Sequence, residues 1–66
     1  MNNIKQIRTE RGMRQEDLAA ELKIARSTVA KWETGQANPR FEQLPQIMTV
    51  LNCTADELLG IEKGAS

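Results

Sequence analysis

The chain has 66 residues with no net charge, one cysteine and no histidine. Hydrophobic residues make up 39% and charged residues 27% of it, the balance of a small globular protein, so we expect one domain over residues 1–66. A chain this short buries only about 60% of the surface that it exposes when unfolded, which leaves little room for a catalytic cleft. Without histidine it also lacks the usual base of a catalytic triad and a common zinc ligand. We therefore predict no enzyme, no catalytic residue, no metal and no cofactor.

The apolar runs are far shorter than the roughly 20 residues that a membrane span requires. The polar start MNNIKQIRTERG is unlike a signal peptide. These features predict a cytoplasmic protein with no membrane partner. The single thiol, Cys53, is interpreted as a small hydrophobe of the core rather than a reactive group, because no cationic neighbour in the sequence would lower its pKa.

Opposite charges are concentrated in opposite halves of the chain. Residues 1–40 hold eight basic and five acidic side chains, whereas residues 41–66 hold one basic and four acidic ones, so the halves are +3 and −3. The segment from Leu22 to Trp32 contains three cations and no acid. A nucleic-acid partner usually requires a basic surface, and this distribution allows one in a neutral chain.

Apolar residues recur at helical spacing along the whole chain, with no sustained two-residue alternation, and this pattern predicts an all-α fold. Asn3 with Gln6 three residues later matches a capping box at the start of the first helix, which Gly12 ends. The second helix is predicted from about Gln15 to Leu22.

A short turn, Lys23 to Ala25, separates the second helix from the third. The third helix is predicted from Arg26 to Thr34 and is ended by Gly35. The next residues, GQANPR, have the composition of a loop.

Two further helices follow this loop. Pro45 fits only a first turn, so the regular part of the fourth helix is expected to begin near Gln43, and its apolar face comprises Leu44, Ile47, Met48 and Leu51. Thr54 with Glu57 predicts a capping box for the fifth helix, whose apolar face comprises Leu58, Leu59 and Ile61. Residues 62–66 are expected to form a frayed, flexible tail.

Trp32 and Phe41 are the only aromatic residues. A stacking platform for single-stranded nucleic acid requires several exposed aromatic side chains, so we assign both residues to the core.

The third helix divides into two chemically different halves when its residues are placed about 100° apart. One half carries the large hydrophobes with Thr28 and Glu33, and it must face the core. The other half carries Arg26, Ser27, Ala30 and Lys31. Such a face suits the major groove of DNA, because arginine can bond guanine bidentately, serine can bond either kind of base edge, and alanine allows close approach to a thymine methyl.

From Ile7 to Gly60 the sequence resembles the Cro and phage-repressor-like helix-turn-helix family, also called the XRE family. No single element is specific, but their order and spacing together are strong. The matching residues are Arg8 before a glycine, Gln15 opening the second helix, Leu18 with Ala19, the ending Trp32-Glu33-Thr34-Gly35, Pro39, and then Leu44, Ile47 and Leu51.

The resemblance implies a compact, five-helix, lambda-repressor-like domain with its helix-turn-helix at about residues 15–34. It further implies a regulator that binds a double-stranded DNA operator, usually as a homodimer, with the third helix in the major groove. It also implies that Arg8 and Glu33 form a structural ion pair, which agrees with Glu33 falling on the core half of the helix.

The family's contact positions carry over to two sets of residues. The predicted base contacts are Arg26, Ser27, Lys31 and Ala30. The predicted phosphate contacts are Gln15, Arg14, Thr28, Asn38 and Arg40, although Thr28 could equally pack inward.

The sequence departs from the family pattern at its helix caps. Ser or Thr is usual at the starts of helices two, three and four, where this chain has Arg14, Ala25 and Arg40. We hypothesise that the uncapped N–H groups of helices two and four are left for DNA phosphates. Lys23 replaces a common glycine, and a left-handed conformation there would be strained for lysine, so we expect a slightly altered turn.

Two classes of function stay open from the sequence. One is the dimeric DNA-binding regulator, which we expect to be a repressor whose dimer surface is built around helices four and five. The other is a protein-interaction module, such as an antitoxin or adaptor, whose acidic second half binds a basic partner. Because the sequence stops at Ser66, we expect no effector domain, and control through concentration, dimerisation or a separate partner.

Overall fold

Five short α-helices form the fold that the computed structural model describes for residues 3–60. The all-α prediction is confirmed, since no strand occurs within this range. Ile61 and the predicted tail at 62–66 lie outside the described residues. The helices are α1 Ile4–Glu10, α2 Gln15–Leu22, α3 Arg26–Thr34, α4 Leu44–Leu51 and α5 Ala55–Leu59, and a 3₁₀ turn, Phe41–Gln43, leads directly into α4.

Every helix contributes to one apolar core. The predicted apolar face of α4 is buried at Ile47 and Leu51 and half-buried at Leu44 and Met48. Trp32 of α3, only 3% exposed, packs in the same core, as predicted. Burial of apolar side chains is the main stabilising term for a domain of this size. The buried hydrophobic residues are Ile4, Ile7, Leu18, Ala19, Leu22, Val29, Trp32, Ile47, Leu51 and Leu58.

The start of α1 differs from the predicted capping box. The Asn3 side chain makes no capping hydrogen bond, and Gln6 Nε2 donates to Glu10 rather than reaching back to the helix start. Asn3 instead joins the two ends of the chain, because its Nδ2 donates to the carbonyl of Glu57 and its backbone N–H donates to that of Leu58. The capping-box prediction is therefore wrong at α1. At α5 it is confirmed, with Glu57 N–H donating to Thr54 Oγ1 at 3.1 Å.

Phe41 was assigned to the core, and this prediction is wrong: the residue is 85% exposed. It begins the 3₁₀ turn, and α4 starts only at Leu44, so Leu44 and Ile47 take the inward positions. Leu59 is also more exposed than predicted, at 42%, because α5 is short and its neighbour Leu58 fills the core position.

The turn between α2 and α3 depends on a lysine in the left-handed conformation. Lys23 has φ 59 and ψ 45. Its N–H donates to the carbonyl of Ala20, and the N–H of Ile24 donates to that of Ala19, the pattern of a Schellman motif. Glycine adopts the left-handed conformation without steric strain, whereas the Cβ atom of Lys23 makes it strained here.

We expect Lys23→Gly to raise the free energy of unfolding by about 0.5 to 1 kcal/mol, because relief of left-handed strain exceeds the entropy that glycine adds to the unfolded chain. Urea denaturation measures this change. The reverse substitution, Gly35→Lys at φ 83, is the matched control and should lose about 1 kcal/mol. A Lys23→Gly variant that is less stable than the parent would contradict the role of strain in this turn.

Candidate nucleic-acid interface

The outer face of α3 is polar and cationic, as the helical wheel predicts. Arg26, Ser27 and Lys31 are exposed and Ala30 is half-buried. On the opposite side Val29 and Trp32 are buried in the core, and α3 packs against α2 and α1. The core therefore fixes α3 in one rotation, with the two cations, the hydroxyl and the small alanine turned outward.

The residues predicted to contact phosphates surround this face in different environments. Arg14, Asn38 and Arg40 are exposed, whereas Gln15 and Thr28 are half-buried. Arg14 is 74% exposed and its Nε lies 3.5 Å from Asp17 Oδ2, so solvent and salt will screen this ion pair strongly. Both arginines can turn toward an anion at little cost.

The starts of α2, α3 and the 3₁₀ turn have no side-chain caps. Arg14, Ala25 and Arg40 are the cap residues, and none of them accepts a hydrogen bond from the following turn. At these starts, only two backbone N–H groups donate to a side chain. Arg14 N–H donates to Asp17 Oδ2 at 2.9 Å, and Arg40 N–H donates to Gln43 Oε1 at 2.8 Å. The hydrogen bond from Arg14 N–H is the main reason that the pKa of Asp17 is lowered. Uncapped first-turn N–H groups are suitable partners for an anion.

Arg8 and Glu33 form a nearly solvent-free ion pair behind the cationic face. Arg8 Nε lies 2.7 Å from Glu33 Oε2, and Arg8 Nη2 lies 3.1 Å from Glu33 Oε1. The two side chains are only 9% and 3% exposed. A third bond, from Arg8 Nη1 to the carbonyl of Met13, is 2.7 Å long. The pair therefore joins α1, the loop after it and the last turn of α3.

The pKa of Glu33 is lowered despite its burial. Burial alone would raise this pKa, but hydrogen bonds from Arg8 and Gln15, with the positive charges of Arg8 and Lys5, outweigh that effect. A carboxyl group that binds its proton more weakly in the folded state stabilises the fold above its ordinary pKa. This stabilisation is lost as the pH falls through the lowered pKa.

We expect the stabilising effect of the Glu33 charge to begin to decline as the pH falls below about 4.3, the ordinary pKa of glutamate, and to be lost as the pH passes through the lowered pKa of the folded state. The free energy of unfolding of the parent and of Glu33→Gln, measured between neutral and strongly acidic pH, isolates this group from the other carboxylates. The parent should be the more stable protein at neutral pH, and the difference should shrink in acid. A difference that is independent of pH would show that the charge of Glu33 contributes nothing.

The side chain of Gln15 connects this ion pair to the cationic face. Gln15 Nε2 donates to Glu33 Oε1 at 2.9 Å, and Arg26 Nη1 donates to Gln15 Oε1 at 3.0 Å. The sequence assigned Gln15 only to a phosphate. No local pattern signals this contact, because Gln15 and Arg26 open two different helices and are 11 residues apart.

The contacts of Arg11 were also not predicted from the sequence. Arg11 Nε donates to the carbonyl of Leu51 at 2.8 Å, and Arg11 Nη2 donates to that of Asn52 at 3.0 Å. These carbonyls lie at the end of α4, where a cation is favoured by the helix dipole. Arg11 thus acts in the fold and not on the cationic face.

Other chemical sites are scarce in the described range. Within residues 3–60 no cluster of acidic or cysteine side chains could hold a metal ion, and no helix is long and apolar enough to cross a membrane. Cys53 is half-buried beside the core, and burial is the first reason that its pKa is raised, followed by the charge of Glu57. This agrees with its interpretation as a packing residue.

Comparisons with known proteins agree with this geometry. A family model described as helix-turn-helix matches residues 4–58. The chain is 38% identical to the HTH-type transcriptional activator BcrR of Enterococcus faecalis, covering 91% of this chain and 29% of BcrR. It is 38% identical to the 26 kDa repressor protein of Escherichia phage HK022, covering 71% of this chain and 20% of that protein.

A third relative, the HTH-type transcriptional regulator AnsR of Bacillus subtilis, is 33% identical over 96% of this chain and 54% of AnsR. The chain thus spans about half the length of AnsR and less than a third of the other two. Two of these relatives are named as HTH-type transcription regulators, and the phage protein is named as a repressor.

Proposed function

Because the chain belongs to the helix-turn-helix family of DNA-binding transcription regulators, we propose that it binds a specific double-stranded DNA operator by inserting α3 into the major groove. The observation that carries this proposal is the outer face of α3. Arg26, Ser27 and Lys31 are exposed there around the half-buried Ala30, and the segment from Leu22 to Trp32 contains no acid. The family is one of regulators and not of enzymes, in agreement with the sequence prediction.

Base and phosphate contacts have different roles in this proposal. Arg26, Ser27, Ala30 and Lys31 read base edges, and this reading selects the sequence. The proposed phosphate contacts hold α3 in register, and they are Gln15, Arg14, Thr28, Asn38 and Arg40. The uncapped starts of α2 and the 3₁₀ turn, next to exposed arginines, suit this role.

The regulator is proposed to act in the cytoplasm as a homodimer and as a repressor. Operators of dimeric helix-turn-helix proteins have two half-sites about 10 base pairs apart, because each α3 must enter the same side of the duplex. The second half of the chain is the better dimer surface, since it is the acidic half and leaves the cationic face of each protomer to the DNA.

A protein-interaction module is the second candidate. Two observations favour it: the acidic residues of the second half, and Phe41, which is 85% exposed beside Glu42. An exposed aromatic residue next to acids suits a basic, partly apolar protein partner.

Salt dependence distinguishes the two candidates. DNA binding releases counterions, and each neutralised phosphate contributes about −0.9 to the slope of log K against log salt. We therefore measure binding to a mixed-sequence duplex by fluorescence anisotropy over a range of KCl concentrations. If Arg14 and Arg40 each neutralise one phosphate, the slope should be about −2 per protomer or steeper. No binding at low salt, or a slope near zero, would overturn the proposed function and favour a protein partner.

A further inference from the structure

A groove lies between the end of α2 and α4, and we call it the α2–α4 groove. It has a volume of about 530 Å³. Its apolar lining comprises Leu22, Pro45 and Val50, and the charged residues that line it are Glu21 and Lys23 of the α2 edge. None of the residues proposed to contact DNA lines this groove. It therefore stays open to a partner while α3 occupies the major groove.

The α4 wall of the groove carries no charge. Between Glu42 and Asp56 the sequence contains no charged residue, although Pro45, Gln46 and Thr49 of α4 are exposed. The outer face of a surface helix normally carries charged residues, whereas the centres of protein–protein interfaces are depleted of them. The Thr49 hydroxyl already donates to the carbonyl of Pro45 at 2.9 Å, so this donor stays paired when the wall is covered. The wall therefore suits contact with another protein surface.

The α2 edge of the groove provides one acid and one base, and both are exposed. Within residues 3–60 the side chains of Glu21 and Lys23 form no ion pair and no hydrogen bond. Lys23 is also the residue in the left-handed conformation, at φ 59, where glycine would be unstrained. A strained residue that persists in a fold indicates a role for its side chain. In the groove that side chain supplies a positive charge, which glycine would lack.

We propose that two copies of this chain pair through the α2–α4 groove. In a two-fold interface both protomers use the same patch, so a contact between two different residues occurs twice. A patch with one acid and one base beside an apolar lining is complementary to itself, because Glu21 of each protomer can face Lys23 of the other. The two charges of the groove also cancel, so two copies do not repel each other there. The inference rests on the proposed function, since it names the surface of the proposed homodimer.

The test is sedimentation velocity of the full chain without DNA, over a range of protein concentrations. Glu21→Lys makes both charged positions of the groove basic, and Lys23→Glu makes both acidic. Glu16→Lys is the matched control, because it makes the same charge change at an exposed residue of α2 that does not line the groove. Circular dichroism and thermal denaturation verify that each variant is folded at the temperature of the measurement.

We expect the parent and Glu16→Lys to form dimers with the same dissociation constant. Glu21→Lys alone and Lys23→Glu alone should each dimerise about 10- to 100-fold more weakly, because two attractive contacts become two repulsive ones. An equimolar mixture of these two variants should recover most of this loss, because every lysine of the mixed interface then faces a glutamate. Recovery in the mixture also shows that neither variant lost association by misfolding.

Three results would overturn the inference and leave the proposed DNA binding intact. A parent that stays monomeric at every concentration would show that the groove does not bind a second copy. Groove variants that dimerise as tightly as the parent would place the dimer surface elsewhere. A mixture that dimerises no better than its components would exclude the reciprocal contacts between Glu21 and Lys23. Failure of the proposed function is a separate result, the absence of salt-dependent binding to DNA, because these measurements contain no DNA.

Discussion

Arg8→Ala is expected to lower the free energy of unfolding by about 3 to 5 kcal/mol, the cost of leaving one charge of a buried ion pair without its partner. Glu33 would keep only the hydrogen bond from Gln15, in a site where its side chain is 3% exposed. The Met13 carbonyl would lose its donor as well. Native domains of this length have total stabilities of roughly 3 to 10 kcal/mol, so this loss removes about a third of the stability or more.

Urea or thermal denaturation measures this loss, with Arg40→Ala as the matched control. Arg40 is exposed and its side chain makes no capping bond, so its removal should change stability by less than about 0.5 kcal/mol. The double variant Arg8→Met with Glu33→Leu replaces both charges by apolar groups and should recover much of the stability. A loss of under about 1 kcal/mol for Arg8→Ala would contradict a structural role for the pair.

Arg26→Ala is expected to abolish preference at one base pair of the operator and to cost about 1 to 3 kcal/mol of binding free energy there, the range for a bidentate base contact. Arg26 is the exposed first residue of α3, and its guanidinium is restrained by Gln15. The fold should be unaffected, because the side chain contributes nothing to the core.

The measurement compares binding to the operator and to its single-base-pair variants. Arg40→Ala is again the informative control, since loss of a phosphate contact should weaken all duplexes similarly and reduce the salt slope by about 1. Equal losses on every duplex for both variants would contradict the assignment of Arg26 to base reading.

The sequence predicted those features of the site that follow from helical periodicity. Val29 and Trp32 had to face inward together, and this placed Arg26, Ser27 and Lys31 outside. The contact between Arg8 and Glu33 came from the resemblance and not from periodicity, because two residues on different helices are not related by any local pattern.

Features that depend on packing between distant segments could not be predicted. The Asn3 and Gln6 spacing matches a capping box, but the last turn of α5 offers Asn3 two carbonyl groups, and those contacts prevail. Phe41 is hydrophobic, but a 3₁₀ turn before α4 leaves it on the surface. The Gln15 contacts required knowledge of how closely the starts of α2 and α3 approach one another.

Affinity selection from a random double-stranded DNA pool at near-physiological salt tests the central claim most directly. The proposal predicts enrichment of an inverted repeat with half-sites about 10 base pairs apart, as expected for two copies of α3 on one side of the duplex. Enriched fragments with no shared sequence, or no enrichment at all, would contradict a sequence-specific regulator and favour the protein-interaction module.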